Sequence, residues 1–359
     1  MNSDTLEKYH QEGLLYKQTH PTLPLTIWNY TEKVQYEGLW DEVTLKCRGL
    51  ITQNTSGKVI IQPFSKFFNY EEAIGKNIIP ETEDYVYVQE KMDGSLGILF
   101  YYADQWIMAT RGSFTSDQAI KGLEIVEKTH FLPAFEKEYA YLVEIIYPEN
   151  RIVVDYKQEK VTFLSVVLNM SYECWKPSDE KELHWTTANS IFKSCGIKQK
   201  DIVKTEQHFN FSDELFKSLK AKNEANKEGF VIRFQPGNFR MKIKFEEYVR
   251  LHKIMTCLST TAVWETLSEG KSMDEMLKDV PDEFYEKIKW YEQHLLDELN
   301  KLKLEYEDHF ESIRRLATRK LFAQFATSFR HPNLLFGLLD NKDISPSIWK
   351  IIKPEFRKL

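Results

Sequence analysis

Cysteine is scarce in this 359-residue chain, where Cys47, Cys174, Cys195 and Cys257 are the only four. None forms a C-x-x-C pair and nothing nearby completes a zinc pattern, so buried or free thiols in a reducing compartment are expected. An excess of positive charge is also lacking: the formal net charge is -6. That balance argues against a protein that coats nucleic acid non-specifically, because such binding rests on counterion release by Lys and Arg. A local basic groove remains compatible with it. The stretch from Met1 to Tyr16 is polar with both charge signs, unlike a signal peptide. No uninterrupted apolar run approaches the length of a membrane span. A cytoplasmic protein without membrane partners is the expectation. Internal repeats and low-complexity segments are absent too.

What is present is ample core material, with 42% hydrophobic and 14% aromatic residues. The length suggests two domains. From about Thr44 to Phe245, short runs rich in Val, Ile, Tyr and Phe alternate with Gly, Pro, Asn and Asp. Strands are predicted over Val59 to Gln62, Tyr85 to Gln89, Leu96 to Tyr102, Ala140 to Ile146, Arg151 to Tyr156 and Lys160 to Val167. Ser116 to Glu127 and Asp213 to Asn226 read as helices. This mixture predicts an α+β domain built on antiparallel sheets over residues 1–252. Beyond it, Pro281 and Asp282 open a long amphipathic helix. Its stripe of Phe284, Ile288, Tyr291, Leu295, Leu299, Leu302, Tyr306 and Phe310 is read as a packing seam. Residues 253–359 are expected to form a separate helical domain.

The chemical signal is Glu90-Lys91-Met92-Asp93-Gly94-Ser95-Leu96, a lysine presented by a tight turn between two strands. A lysine that attacks phosphorus must be neutral, and desolvation or nearby cations lower its pKa. K-x-D-G alone is weak, but it has company in a fixed order. Cys47-Arg48-Gly49 and the run Pro63 to Asn69 precede it. Arg111-Gly112-Ser113, the run Val143 to Arg151, Glu228-Gly229-Phe230-Val231 and Met241-Lys242-Ile243-Lys244 follow. Several cations could hold a triphosphate, and two or three carboxylates could hold a metal and a ribose. Lys242 and Lys244 alternate with Met241 and Ile243, so on a strand both ammonium groups share one face. Such a pair would neutralise an α-phosphate and is expected to depress the pKa of Lys91.

These segments resemble the motifs of covalent-lysine nucleotidyltransferases, the ligases and RNA-capping enzymes. More closely, they resemble the T-even phage RNA ligase 1 family, the tRNA-repair ligases. The likeness covers residues 27–252. It is strongest in C-R-G, S-K-F-F-N, K-x-D-G-S-L, P-x-N-R-I-V, E-G-F-V and K-I-K-x-x-x-Y-V-x-L-H, the last running from Lys242 to His252. The resemblance implies that Lys91 attacks the α-phosphate of ATP to give lysyl-AMP. AMP then passes to an RNA 5′-phosphate, and a 3′-OH displaces it to seal the ends. It implies catalytic roles for Lys242 and Lys244 with Lys91, a ribose contact for Glu144, and a Mg²⁺ site (Mn²⁺ being the alternative) at Glu228, with Glu144 and Asp93 through water. Arg48 and Lys66 correspond to grips on the β- and γ-phosphates, with Tyr30 a candidate beside them. Arg111 stands where the family commonly has a lysine. Glu90 is a candidate acceptor from the adenine amine, against the alternative of plain exposed surface. Tyr248 is either core or a phosphate contact.

No five-strand OB-fold pattern follows His252, in contrast to DNA ligases and capping enzymes. The late cations Arg314, Arg315, Arg319, Lys320, Arg330, Lys350, Lys353, Arg357 and Lys358, with Phe322, Phe325, Phe329 and Trp349, are either an RNA-gripping face or solvated charge over a helical core. The expected partners are RNA with 5′-phosphate and 3′-OH ends, possible tRNA among them, and an end-healing kinase or phosphatase. Two competing readings remain at this stage. One is a DNA ligase or guanylyltransferase, separated by nucleotide labelling; the other is a non-catalytic RNA-binding protein on a ligase scaffold.

Overall fold

Most of the strands are apolar runs buried nearly throughout, as sheets covered on both faces require, and turn residues set their limits. The computed structural model describes residues 2–80, 85–176, 180–257, 259–273, 282–316 and 318–355. These divide into two compact units, Met1–Val249 and Arg250–Leu359. In the first unit, β1 (Leu15–Thr19), β2 (Leu25–Tyr30), β3 (Arg48–Gln53) and β4 (Val59–Ile61) form one antiparallel sheet. The next strands are β5 (Phe68–Asn69), β6 (Tyr85–Lys91), β7 (Ser95–Tyr102), β8 (Gln105–Ala109), β9 (Tyr139–Ile146) and β10 (Lys160–Leu168). They are followed by β11 (Thr205–His208), β12 (Gly229–Gln235) and β13 (Arg240–Lys244).

The second sheet has the order β10-β9-β7-β8 and the third the order β11-β6-β12-β13-β5. Only Met92, Asp93 and Gly94 separate β6 in the third sheet from β7 in the second. The motif lysine therefore ends a strand where the chain crosses between sheets. Ile98, Phe100 and Leu142 pack with Leu25, Ile27 and Ile51 of the first sheet. The opposite face, with Leu99, Tyr141 and Phe163, is covered by the helices Asp117–Thr129 and Trp185–Ser194. Val86, Val88 and Ile232 of the third sheet pack on Leu219, from the helix Asp213–Lys222.

Five of the six predicted strands are present, and the antiparallel α+β design is as expected. Arg151 to Tyr156 is not a strand. Its amides at Val153 and Val154 donate instead to the Asp93 carboxylate, each at 2.8 Å, so they have no ladder partner to seek. β1 to β3, β5, β8 and β11 to β13 are additional to the predicted set.

In the second unit the described elements are helices. The long helix spans Asp282–Ile313, with Ile288, Leu295 and Tyr306 buried against its neighbours. Its stripe is thus a packing seam, although Pro281 and the Phe284 side chain lie outside the described residues, as do Arg357 and Lys358. Of the aromatic residues considered for an RNA face, Phe322 and Trp349 are buried in cores, whereas Phe325 is exposed. Arg314 and Arg319 pair with Glu311 and Asp340 at 2.8 and 3.1 Å. Two of those aromatic residues are thus core, and two of the cations are paired. No helix among the described residues is long and apolar enough to cross a membrane.

Candidate active site

The site begins with register. Lys91 pairs across the sheet with Gly229, and Gly229 pairs with Lys244. Cross-strand partners share a face, so two lysines flank a residue without a side chain. Glycine is required there: its φ is +141°, and a Cβ would lie 2.0 Å from the Ile243 carbonyl oxygen. The preceding Glu228, only 3% exposed, fills the space between them. Its carboxylate accepts from Lys91 Nζ at 2.7 Å and meets Lys244 Nζ at 3.0 Å. One row further, Lys242 pairs with Val231 on the same face, which confirms the alternation inferred for the two motif lysines.

From the second sheet, Glu144 closes the other side. Gly94 N donates to Glu144 Oε1 at 3.0 Å, and a Cβ on Gly94 would fall 2.4 Å from the Ile145 carbonyl oxygen. Burial pushes Glu144 up to about 7; Lys91 opposes this and the charge of Glu228 reinforces it. Glu228 itself is held below its usual range, because Lys91 and Lys244 outweigh the effect of burial.

Electrostatics correct one expectation. Burial alone would lower Lys91, but the carboxylates of Glu228, Glu144 and Asp93 more than offset it, and its pKa is raised. The lysine that crowding does depress is Lys242, which burial and then Lys91, Lys244 and Lys66 push down to about 7. The physical reason is proximity: Lys91 has a direct carboxylate partner at contact distance, while Lys242 has mainly cations around it.

Asp93 also differs from its expected place in a metal shell. Its Oδ2 accepts from Val153 N and Val154 N, and its Oδ1 from Tyr248 Oη at 2.7 Å. Tyr156 Oη accepts from Asp93 N at 3.1 Å. With both oxygens engaged and the residue 3% exposed, Asp93 is a clamp for the turn that carries Lys91. Tyr248 accordingly belongs to the core of the site, its ring 4.9 Å beneath Lys244 Nζ.

A cavity of about 570 Å³ opens beside Lys91, within the range of small-molecule sites; Glu228, Lys242 and Lys244 stand behind its lining. Lys91, Glu90, Glu144, Arg48 and Arg111 line it. Arg48 Nη1 is buried without a hydrogen-bond partner, a donor suited to a phosphate oxygen. Lys66 stands back from the cavity wall, its Nζ 4.8 to 5.6 Å from the ring centroids of Tyr30, Trp40 and Phe68. Tyr30 is shared with Arg111, whose guanidinium lies 5.5 Å from the same ring. Sequence reasoning gave no role to Arg240, which lines the cavity, stacks 4.4 Å from the Phe64 ring and is paired with Glu182. The signal was available, since Arg240 continues the alternation of Lys242 and Lys244 by two residues.

The donor set fits a divalent cation of limited protein contact. Glu228 is buried and Glu144 half-buried, the charge of Glu228 raises the cost of ionising Glu144, and Mg²⁺ serving phosphate chemistry takes few direct protein ligands. Among the described residues no cluster of three acidic, His or Cys groups forms an all-protein cage.

Residues 46–249 match the family described as RNA ligase, of the T4 type, over more than half of the chain. This chain belongs to that RNA ligase family. Its enzyme class is ATP-dependent RNA ligase. The RNA ligase of Rhodothermus phage RM378 is 25% identical over 94% of this chain and 89% of its own length. A candidate bifunctional polynucleotide kinase/RNA ligase of Autographa californica nuclear polyhedrosis virus is 28% identical, over 37% of this chain and 24% of that protein. In fold, an archaeal ATP-dependent RNA ligase aligns with a TM-score of 0.52 and 14% identity, covering 81% of this RNA ligase and 75% of that chain.

Proposed function

We propose that this RNA ligase carries AMP on Lys91 and seals RNA between a 5′-phosphate and a 3′-OH. In the first step Lys91 gives its ammonium proton to solvent, the neutral Nζ bonds to the α-phosphorus of ATP, pyrophosphate leaves and the remaining excess proton is lost to water. In the second, an oxygen of the RNA 5′-phosphate takes the AMP, freeing Lys91. In the third, the RNA 3′-OH attacks the activated 5′-phosphorus, forming the phosphodiester and releasing AMP. The observation that carries the reading is the row Lys91–Gly229–Lys244 joined by Glu228, with Lys91 and Glu144 both lining a nucleotide-sized cavity.

Each side chain has a derivable task. Glu228 holds Lys91 in place as an ammonium in the resting protein. Lys244 and Lys242 stand on the same face to stabilise charge on the α-phosphate, the main catalytic demand of phosphoryl-type transfer. Arg48, Arg111 and Lys66 supply cations for the outer phosphates, and Tyr30 orients two of them through its ring. Glu144 would take the ribose and Glu90 the adenine amine, a reading supported by their both lining the cavity. Glu228 and Glu144 would hold the Mg²⁺ or Mn²⁺ ion. When bound, it supplies positive charge beside the carboxylates and phosphates and thereby favours the neutral lysine.

Repair of broken RNA, tRNA included, is the setting we propose, with an end-healing kinase or phosphatase acting first. The viral relative named for both kinase and ligase supports that pairing. Intact-mass measurement after incubation with ATP and magnesium tests the reading. A gain of one AMP, mapped to Lys91, is expected. Absence of the adduct, or its formation from GTP alone, refutes it.

A further inference from the structure

A second cavity of about 670 Å³ lies in the same unit and shares no lining residue with the first. It is walled by the end of the helix Asp117–Thr129, the start of β10, and residues 194–201. At its base is His130, whose side chain is 8% exposed and whose ring packs edge-on against Phe163 at 5.2 Å.

The protonation of His130 can be read from its neighbours. Thr129 Oγ1 donates to the Ile125 carbonyl at 2.5 Å and lies 2.7 Å from His130 Nδ1. The hydroxyl has one proton, already given away, so it accepts and Nδ1 carries the ring proton. Nε2 is left as a bare acceptor, and it is buried with no hydrogen-bond partner. Burial keeps the ring neutral; Asp201 opposes this and the charges of Lys198 and Lys200 reinforce it. Asp201 Oδ2 stands 3.8 Å from Nε2, too far for a hydrogen bond between them.

Two acceptors side by side, one buried and unmet, call for two adjacent donors. Vicinal hydroxyls provide that pattern, and a carboxylate facing a ribose hydroxyl is a recurrent solution. The rim adds what the rest of a nucleotide needs. Lys198 and Lys200 are exposed lining residues, and among the described residues neither has a carboxylate partner. Phe131, 72% exposed, offers a free ring for a base. Glu159 also lines the cavity, but its carboxylate is held by Lys121 at 2.9 Å.

We propose that this cavity is a second ligand site, which takes a ribonucleoside phosphate through its free 2′,3′-diol. His130 Nε2 and Asp201 accept from the diol, Lys198 and Lys200 meet the phosphate, and Phe131 stacks on the base. The ligand is either the 3′ end of an RNA strand or a free mononucleotide, and the choice of RNA rests on the ligase reading.

The test uses the full-length protein without ATP. Fluorescence anisotropy compares a short RNA ending in a 2′,3′-diol with the same strand ending in a 2′,3′-dideoxynucleotide, and calorimetry counts AMP sites. Wild type is expected to prefer the diol-ended RNA. Phe131→Ala and the double variant Lys198→Ala/Lys200→Ala should each weaken that RNA about fivefold, as loss of one stacked base or of phosphate contacts does. Adenylation of Lys91 should be unchanged in both. If RNA binding is unaffected while AMP stoichiometry drops from two sites to one, the site stands with a free nucleotide as its ligand. The proposal is overturned if neither ligand responds to the substitutions, or if both strands weaken equally, which marks a general polyanion surface. A wild type that binds in this way yet never takes AMP onto Lys91 would sink the ligase reading alone.

Discussion

Lys242 offers the sharpest quantitative test of the site. Its pKa falls from 10.5 to about 7 on folding, through burial and then the ammonium groups of Lys91, Lys244 and Lys66. In the unfolded chain Lys242 is protonated up to about pH 10, so the unfolded state binds more protons between pH 7 and 10. Stability must then rise with pH across that window and be lowest below it. At about 1.36 kcal/mol per tenfold change in proton affinity, the penalty is ~4 kcal/mol at pH 7 and ~2 kcal/mol at pH 9. Solvent at the cavity mouth and relaxation of the neighbouring lysines reduce both figures to roughly half. Lys242→Met keeps the aliphatic stem and removes the charge. It should stabilise the protein by about 2 kcal/mol at pH 7 and about 1 kcal/mol at pH 9, a gain seen in urea unfolding as a higher midpoint. The same substitution should cripple adenylation. Because anionic phosphates restore the Lys242 charge, ATP binding by wild type should take up a proton near pH 8, measurable by calorimetry in buffers of different ionisation enthalpy. A variant no more stable than wild type at pH 7, or a gain that persists undiminished at pH 9, would refute the reasoning.

Other consequences are simpler to read. Lys91→Ala should abolish AMP transfer from ATP, checked by intact mass. Gly229→Ala places a Cβ 2.0 Å from a carbonyl oxygen at a φ of +141°, so a loss of about 3 kcal/mol or more and of adenylation is expected. Thermal unfolding alongside mass measurement checks both. Glu182→Gln leaves Arg233 and Arg240 without their shared carboxylate. Breaking such a buried pairing costs about 3–5 kcal/mol. Burial raises Glu182, but the two arginines outweigh it and hold it low, so its contribution is present at neutral pH and lost in acid. The gap in unfolding midpoint between wild type and variant should therefore narrow as pH falls below the usual carboxylate range.

Local pattern was a good guide where one residue's character sets its neighbourhood. The K-x-D-G turn, the alternation at Lys242 and Lys244 and the long helical stripe all follow from spacings of two or of three and four residues. The strand expected over Arg151 to Tyr156 failed because its amides are claimed by a side chain 60 positions earlier. Asp93 was assigned to a metal for the complementary reason: a carboxylate in a motif does not reveal which donors reach it. The RNA-facing role considered for Phe322 and Trp349 ended in helical cores, since an aromatic residue between basic ones reads the same whether it points inward or outward.

The order of charged motifs along the chain carried the resemblance that named the chemistry, and their side chains are of the kinds that phosphate, metal and ribose demand. Charge state was another matter. Which lysine is stripped toward neutrality depends on what stands within a few ångströms in a low-dielectric pocket, and folding put the carboxylate of Glu228 against Lys91 while leaving Lys242 among cations. Coulomb interactions fall with distance in space and take no account of distance along the chain, so that choice belonged to the packed sheets alone.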